Sequence, residues 1–272
     1  MKYIIFTDLD GTLIDHDTYS YDAARPALEL LKEKEIPLIF CTSKTRAELE
    51  VYVDELECHH PFISENGGAI FIPKDYFSIE LKEGDEIGNY KVIEFGTSYT
   101  RIREVLEDIR KNTGFKITGF GDLDAEGVSK DTGLDIQSAK LAKMREYDEA
   151  FRLEEDENAT AKVIELIHAA GLNHTKGGRY WHIMGDNDKG KAVRALTEIY
   201  RQQFTEVTTI ALGDSLNDLP MLKAVDIPFL VQKPDGKYDP SIILTEIRHA
   251  DGIGPVGWNN AIMDLIGKND DI

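Results

Sequence analysis

The chain has 272 residues, 42% hydrophobic and 30% charged, and 50 acidic against 31 basic residues give a formal charge of −19. That length accommodates one large domain or two smaller ones, and so acidic a surface repels nucleic acid and anionic membranes, so neither is an expected partner. Two cysteines make no disulfide framework, and no stretch reaches the length of a membrane span or shows the pattern of a leader peptide, so a soluble cytoplasmic protein is expected.

In chain order, the apolar run Tyr3–Phe6 reads as a strand, and Tyr21–Lys34 as a helix with apolar residues at 24, 27, 28, 30 and 31. Strand Ile36–Cys41, helix Lys44–Leu56 and strand Pro61–Ile63 follow. Cys41 reads as a core residue. Cys58 precedes His59-His60, but without the spacing of a zinc site. After a hairpin-like stretch at 68–73 and the acidic segment Lys82–Asn89, the pattern changes. Strand Tyr90–Phe95, helix Tyr99–Lys111, strand Phe115–Thr118 and helices Asp124–Asp131 and Ser138–Arg145 come next. Strand Ala150–Leu153, helix Ala159–Ala170 and strands Asn173–Lys176 and Arg179–Met184 complete this middle region. Helix Lys191–Phe204, strands Thr208–Leu212 and Ile227–Val231, and a frayed polar end at Lys268–Ile272 close the chain. Continuous apolar strands alternating with helices predict an α/β fold, with a doubly wound, Rossmann-like parallel-sheet core. Residues 1–82 and 187–272 form that core, and 83–186 a second α/β domain inserted into it.

Polar clusters follow four of the core strands: Asp8-Leu9-Asp10, Thr42-Ser43-Lys44, Ser64-Glu65-Asn66 and Gly213-Asp214-Ser215. In parallel sheets such ends gather around one crevice. The alternation of a strand turns Asp8 and Asp10 the same way, and two carboxylates so close repel unless a cation or a proton separates them. A further acidic run, Asp214 to Asp218, approaches the same crevice, and several carboxylate oxygens suit Mg²⁺. Either segment alone reads equally well as a turn. Both at strand ends, with Thr42 and a lysine to match, read as a site.

Asp8-Leu-Asp10-Gly-Thr12, Thr42, Lys189 and Gly213-Asp214-x-x-Asn217-Asp218 resemble, in order, the four motifs of the haloacid dehalogenase-like phosphatases. The insertion resembles the cap domain of their Cof-type subgroup. The resemblance implies that Asp8 is a nucleophile forming an aspartyl phosphate, and that Asp10 protonates the leaving alcohol and then activates water. Thr42 would hydrogen-bond the phosphoryl oxygens, and Lys189 would offset charge. Mg²⁺ would be held by Asp8, the Asp10 carbonyl and Asp214, helped by Asp218, with Asn217 orienting.

Residues 41–46 (Cys-Thr-Ser-Lys-Thr-Arg), 64–69, 140–148 and 177–182 look more narrowly like the mannosyl-3-phosphoglycerate phosphatase family. Many relatives in the wider subgroup carry Thr-Gly-Arg where this chain has Thr42-Ser43-Lys44. That resemblance implies a phosphorylated-glycoside substrate, dephosphorylated to the compatible solute mannosylglycerate. It places Ser43 and Lys44 in the pocket, Arg145 and Arg179 on a carboxylate, and Glu65, Asn66, Tyr180 and His182 on sugar hydroxyls, with Gly67, Gly68 and Gly178 allowing close backbone approach. Plainer readings stand beside these: Gly177-Gly178 as a hairpin turn, His182 as a satisfied histidine, Trp181 as packing, and Arg145 as a helix-surface charge paired with Glu149. On one strand, Arg179 and Trp181 face away from Tyr180 and His182 unless the glycine pair twists the approach. Glucosyl-3-phosphoglycerate or another sugar phosphate, a phosphomutase, and a non-catalytic phospholigand-binding protein are the alternatives.

Overall fold

The computed structural model describes residues 2–267; the expected frayed end, Lys268–Ile272, lies outside them. In chain order the elements are β1 (Lys2–Thr7), α1 (Arg25–Glu33), β2 (Leu38–Phe40), α2 (Arg46–Glu55), β3 (Phe62–Ser64), β4 (Ala69–Pro73), β5 (Asp85–Ile87), β6 (Tyr90–Glu94) and α3 (Tyr99–Thr113). Next come β7 (Ile117–Gly119), α4 (Ala125–Thr132), α5 (Ile136–Ala142), β8 (Asp148–Leu153), α6 (Glu157–Ala169), β9 (Asn173–Lys176) and β10 (Trp181–Met184). The chain ends with α7 (Lys189–Gln203), β11 (Val207–Gly213), α8 (Leu219–Leu222), β12 (Ile227–Gln232), β13 (Arg248–Ile253) and α9 (Pro255–Ile266).

The continuous apolar character of β1 has the expected cause. Ile5 packs into one core with Ala27 and Leu31 of α1, Leu49 of α2 and Trp258 of α9. Ile4 and Phe6, pointing the other way, join Val193 and Leu196 of α7 and Leu222 of α8. A strand between two helical layers has no polar face. The sheet runs β13-β12-β11-β1-β2, all parallel, and a bridge from Cys41 to Ile63 brings β3 alongside β2. From β1 the chain winds outward to β2, and later returns through β11 to the other side. The carboxyl ends of β1 and β11 therefore flank the switch point where such sheets place ligands.

Residues 117–184 carry an antiparallel sheet, β7-β8-β10-β9. Alternation on β8 is clean: Phe151 packs with α3 and α6, while Ala150 faces the other way, with Val128 of α4 and Ala139 of α5. A third sheet, β3-β4-β6-β5, pairs β4 with β6. The anticipated boundary at residue 83 thus falls between two hydrogen-bonded strands, and 85–94 stay attached to the core-side hairpin. Strand β13 and helix α9 have no counterpart in the sequence reading. Strand β13 is a largely exposed edge with only Ala250 buried, so it lacks the apolar run that marks its neighbours. No helix among the described residues is long and apolar enough to cross a membrane.

Candidate active site

Strand β1 delivers Asp8 to the switch point, its amide donating to the Leu212 carbonyl of β11 at 3.0 Å. The chain then turns sharply at Gly11, in the left-handed region at φ +79, where a Cβ would stand 3.2 Å from Asp214 Oδ2. Lys189 is the first residue of α7, a position where a cation opposes the helix dipole. Two carboxylates offset that cost: its Nζ donates to Asp8 Oδ1 and Asp218 Oδ1, each at 2.6 Å, with the side chain wholly buried. Asp218 turns its other oxygen to the amides of Asp214 and Ser215, both at 3.0 Å. Asp8, Asp214 and Asp218 each offer one oxygen within 4.8 Å of the others.

Three buried acids thus crowd together, and one ammonium bonds two of them. Burial, then the charges of Asp218 and Asp214, push Asp8 well above the usual carboxylate range against the pull of Lys189. Burial and Asp218 push Asp214 up to about 7. Hard oxygen donors under mutual repulsion fit a divalent cation such as Mg²⁺. Asp8 Oδ2 takes no part in these bonds, and Asp214 accepts the Ser215 hydroxyl at 2.8 Å and the Thr12 hydroxyl at 3.4 Å, contacts weaker than the ammonium and amide bonds of Asp218. The Asp10 carboxylate stands apart from the trio, 2.9 Å from Lys44 Nζ.

A carboxyl raised on folding stabilises the folded state when protonated, so that contribution is lost as the pH climbs through the folded value. Glu65, pushed up to about 8 by burial and Asp148 against Arg145, acts in the same direction as Asp214. His60, held down at about 4 by burial and neighbouring positive charge, acts oppositely but only below the ordinary histidine range. Between about pH 6.5 and pH 8.5 the metal-free protein is therefore expected to lose thermal stability. Millimolar Mg²⁺ at the upper end is expected to restore roughly 2–5 °C in Tm. Both effects shrink in Asp214→Asn; an unchanged melting curve on adding Mg²⁺ would remove the trio as the metal site.

A cleft of about 120 Å³ opens above these acids. Asp8, Asp10, Ser43, Lys44, Asp214 and Asn217 line it from the core, with Arg145, Gly178, Arg179, Tyr180 and His182 opposite. Lys44 is buried; although burial alone would lower it, Asp10 and Glu48 hold it in the charged form. Thr42 is fully buried beneath this wall, its hydroxyl accepting from the Lys44 amide at 3.4 Å.

Glu65, Asn66, Gly67 and Gly68 lie outside the lining of the cleft. Glu65 accepts from the amides of Glu146 and Tyr147, each at 2.9 Å. Asn66 donates to Asp148 at 2.8 Å and accepts from Asn217 at 3.1 Å. Gly67 adopts φ +85, and a Cβ there would meet the Asp188 carbonyl at 2.2 Å; one at Gly68 would sit 2.5 Å from the Tyr147 side chain. This turn is a dock for the chain entering β8 and α7, and close approach, anticipated for a ligand, is to protein backbone and side chain.

Arg145 departs from the surface-charge reading. Helix α5 ends at Ala142, and Arg145 is buried with Nη2 on Asp148 Oδ1 at 2.6 Å and on the Ser43 carbonyl at 2.9 Å. Glu149 pairs instead with Arg103 at 2.6 Å. Strand β10 begins at Trp181, so Arg179 in the preceding turn escapes the alternation and reaches the cleft, while Trp181 packs against the α3–α6 side. Arg179 donates to the Thr132 carbonyl at 2.9 Å and the Tyr19 hydroxyl at 2.8 Å. His16, Tyr19 and Glu48 also line the cleft without having been anticipated. Their segments carry only the signals of a polar loop and a helix start, Glu48 closing a capping box with Thr45.

A profile of haloacid dehalogenase-like hydrolases matches residues 5–235. The chain is 94% identical, over the full length of both, to a glucosyl-3-phosphoglycerate/mannosyl-3-phosphoglycerate phosphatase of Methanococcoides burtonii. It is 42% identical to a mannosyl-3-phosphoglycerate phosphatase of Pyrococcus horikoshii, over 85% of this chain and 91% of that one. In fold it resembles a solved HAD subclass IIB sugar phosphatase, with a TM-score of 0.66 and 15% identity over 98% of this chain and 99% of that one. A Thermoplasma acidophilum structure aligns at a TM-score of 0.69 and 19% identity, covering 98% and 99% of the two chains. With the Asp8–Lys189–Asp214 arrangement standing at the switch point of the matching fold, the chain belongs to the haloacid dehalogenase-like hydrolase family.

Proposed function

We propose that the protein is a Mg²⁺-dependent phosphatase that converts glucosyl- and mannosyl-3-phosphoglycerate to the glycosylglycerate and phosphate. The observation that carries this is the meeting of Asp8, Lys189, Asp214 and Asp218 at one end of a cleft whose walls hold Lys44, Arg145 and Arg179. The substrate class follows the names of the 94% and 42% identical relatives. Making a compatible solute fits a cytoplasmic setting.

In the proposed reaction a carboxylate oxygen of Asp8 attacks phosphorus, forming an acyl phosphate as the bond to the glycerate oxygen breaks. Asp10 gives that oxygen its proton, then takes one from a water that attacks the same phosphorus; phosphate leaves and the Asp8 carboxylate is restored. Lys189 holds Asp8 in place and offsets its charge, and Thr42 would hydrogen-bond the phosphoryl group from the β2 end. Mg²⁺ held by Asp8, Asp214 and the Asp10 carbonyl, with help from Asp218, would supply positive charge for the phosphoryl oxygens. Ser43, Lys44, Arg145, Gly178, Arg179, Tyr180 and His182 would contact the glycerate and sugar. The inserted unit, 83–186 by the sequence reading, would act as the cap that excludes water during the first transfer.

Phosphate release should be compared across glucosyl-3-phosphoglycerate, mannosyl-3-phosphoglycerate, mannose phosphates and 3-phosphoglycerate, with Mg²⁺ and with a chelator. Both glycosyl-phosphoglycerates are expected to exceed the others by at least about 100-fold in kcat/KM, with loss on chelation. Equal use of mannose phosphates would overturn the substrate class, and full activity with the chelator would overturn the metal requirement.

A further inference from the structure

Several hydrogen bonds converge on a carboxylate that the proposed reaction does not use. Asp148, at the start of β8, is fully buried. Its Oδ1 accepts from Arg145 Nη2 at 2.6 Å and its Oδ2 from Asn66 Nδ2 at 2.8 Å, while His182 Nδ1 lies 2.9 Å from both oxygens. Arg145 is fixed further by Nε on the Asp148 carbonyl at 2.7 Å. Arg145 Nη1 and His182 Nε2 take part in none of these bonds, and both residues line the cleft. Nε2 is the ring nitrogen beside Gly177, 3.4 Å from where a Cβ would stand. Although burial alone would raise it, the neighbouring His182 and Arg145 hold Asp148 down at about 2, so it keeps its charge. Both terminal nitrogens of Arg179, the other candidate for an anion, are already engaged by Thr132 and Tyr19.

We propose that Asp148 is a positioning residue that, with His182 as its second buried partner, holds Arg145 so that Nη1 meets the carboxylate of the substrate's glycerate. The assignment rests on the phosphoglycerate reading above. A guanidinium backed by one buried carboxylate is a charge-assisted donor held in fixed geometry, which suits a planar carboxylate. Because Asp148 has already ordered the Arg145 side chain, binding does not bear the cost of ordering it. Asn66, donating to Asp148 and accepting from Asn217, ties this site to the loop that carries Asp214 and Asp218. One alternative role for Asp148 is structural, as a clamp that only closes the inserted unit onto the core.

The two are separated by a ratio. Wild type, Asp148→Asn and Arg145→Lys are compared on glycosyl-3-phosphoglycerate and on the matching glycosylglycerol 3-phosphate, which has a hydroxymethyl group in place of the carboxylate. Wild type is expected to prefer the carboxylate-bearing ester by about 100-fold in kcat/KM, and each variant by less than about 10-fold, the change falling in KM. Parallel loss on both esters, or an undiminished preference, would overturn the assignment. Should Asp148→Asn fail to fold, Arg145→Lys gives the same ratio. A wild-type enzyme that hydrolyses neither glycoside yet hydrolyses p-nitrophenyl phosphate would overturn the substrate reading alone. In that case D-glycerate inhibition of aryl ester hydrolysis, present in wild type and lost in Asp148→Asn, would support the carboxylate site, and equal inhibition or none would remove it.

Discussion

Asp8→Asn is expected to lower phosphate release by roughly 10⁴-fold or more, the scale on which enzymes respond to loss of a nucleophile. An amide has nearly the shape of the carboxylate but no oxygen able to attack phosphorus. Lys189 keeps its second partner, since Asp218 Oδ1 stays 2.6 Å from Nζ. The substitution also removes one of three mutually repelling acids, and burial beside Asp218 and Asp214 makes the Asp8 charge unfavourable where it sits. The variant should therefore fold at least as stably as wild type without metal and still bind substrate. Calorimetric titration with glucosyl-3-phosphoglycerate, beside a phosphate-release assay, checks both halves. Near-normal turnover would exclude covalent transfer through Asp8.

Lys189→Met carries the second large effect, and it falls on stability as well as rate. Methionine fills much of the lysine stem's volume but supplies no charge, leaving Asp8 and Asp218 without their ammonium. Breaking a buried ion pair from one side costs about 3–5 kcal/mol, because the abandoned charges remain desolvated. Here two contacts of 2.6 Å are lost at once from a side chain with no exposure. Urea unfolding of the metal-free variant near neutral pH should show that loss, and Mg²⁺ should recover part of it. Turnover is expected to fall by roughly 10³-fold, as when one preorganised charge-stabilising donor is removed. A variant as stable as wild type would mean that Lys189 does not neutralise the trio.

The two-sided burial of β1 was legible in Tyr3–Phe6, as were the strand ends that bring Asp8 and Asp214 together, because a buried parallel strand leaves a continuous apolar run and its terminus a polar one. The fate of the Ser64–Gly68 turn was not legible. Glycines required for close approach look alike in sequence whether the approaching group is a ligand or, as at Gly67, the carbonyl of Asp188. Arg145 was open to misreading because helix α5 stops three residues earlier, and nothing local announces that the next turn is buried. Asp148 shows the same limit: its importance lies in Asn66, Arg145 and His182 meeting it in space. The exposed edge β13 was missed because it buries a single side chain.

The most direct test of the central claim uses Asp10→Asn with a phosphate-labelled aryl ester, whose good leaving group needs no proton from Asp10. One equivalent of the aryl alcohol should be released rapidly per chain, and acid quenching followed by peptide mapping should find the label on Asp8. A variant that turns over many equivalents at the wild-type rate, or that carries its label on any other residue, would contradict the account.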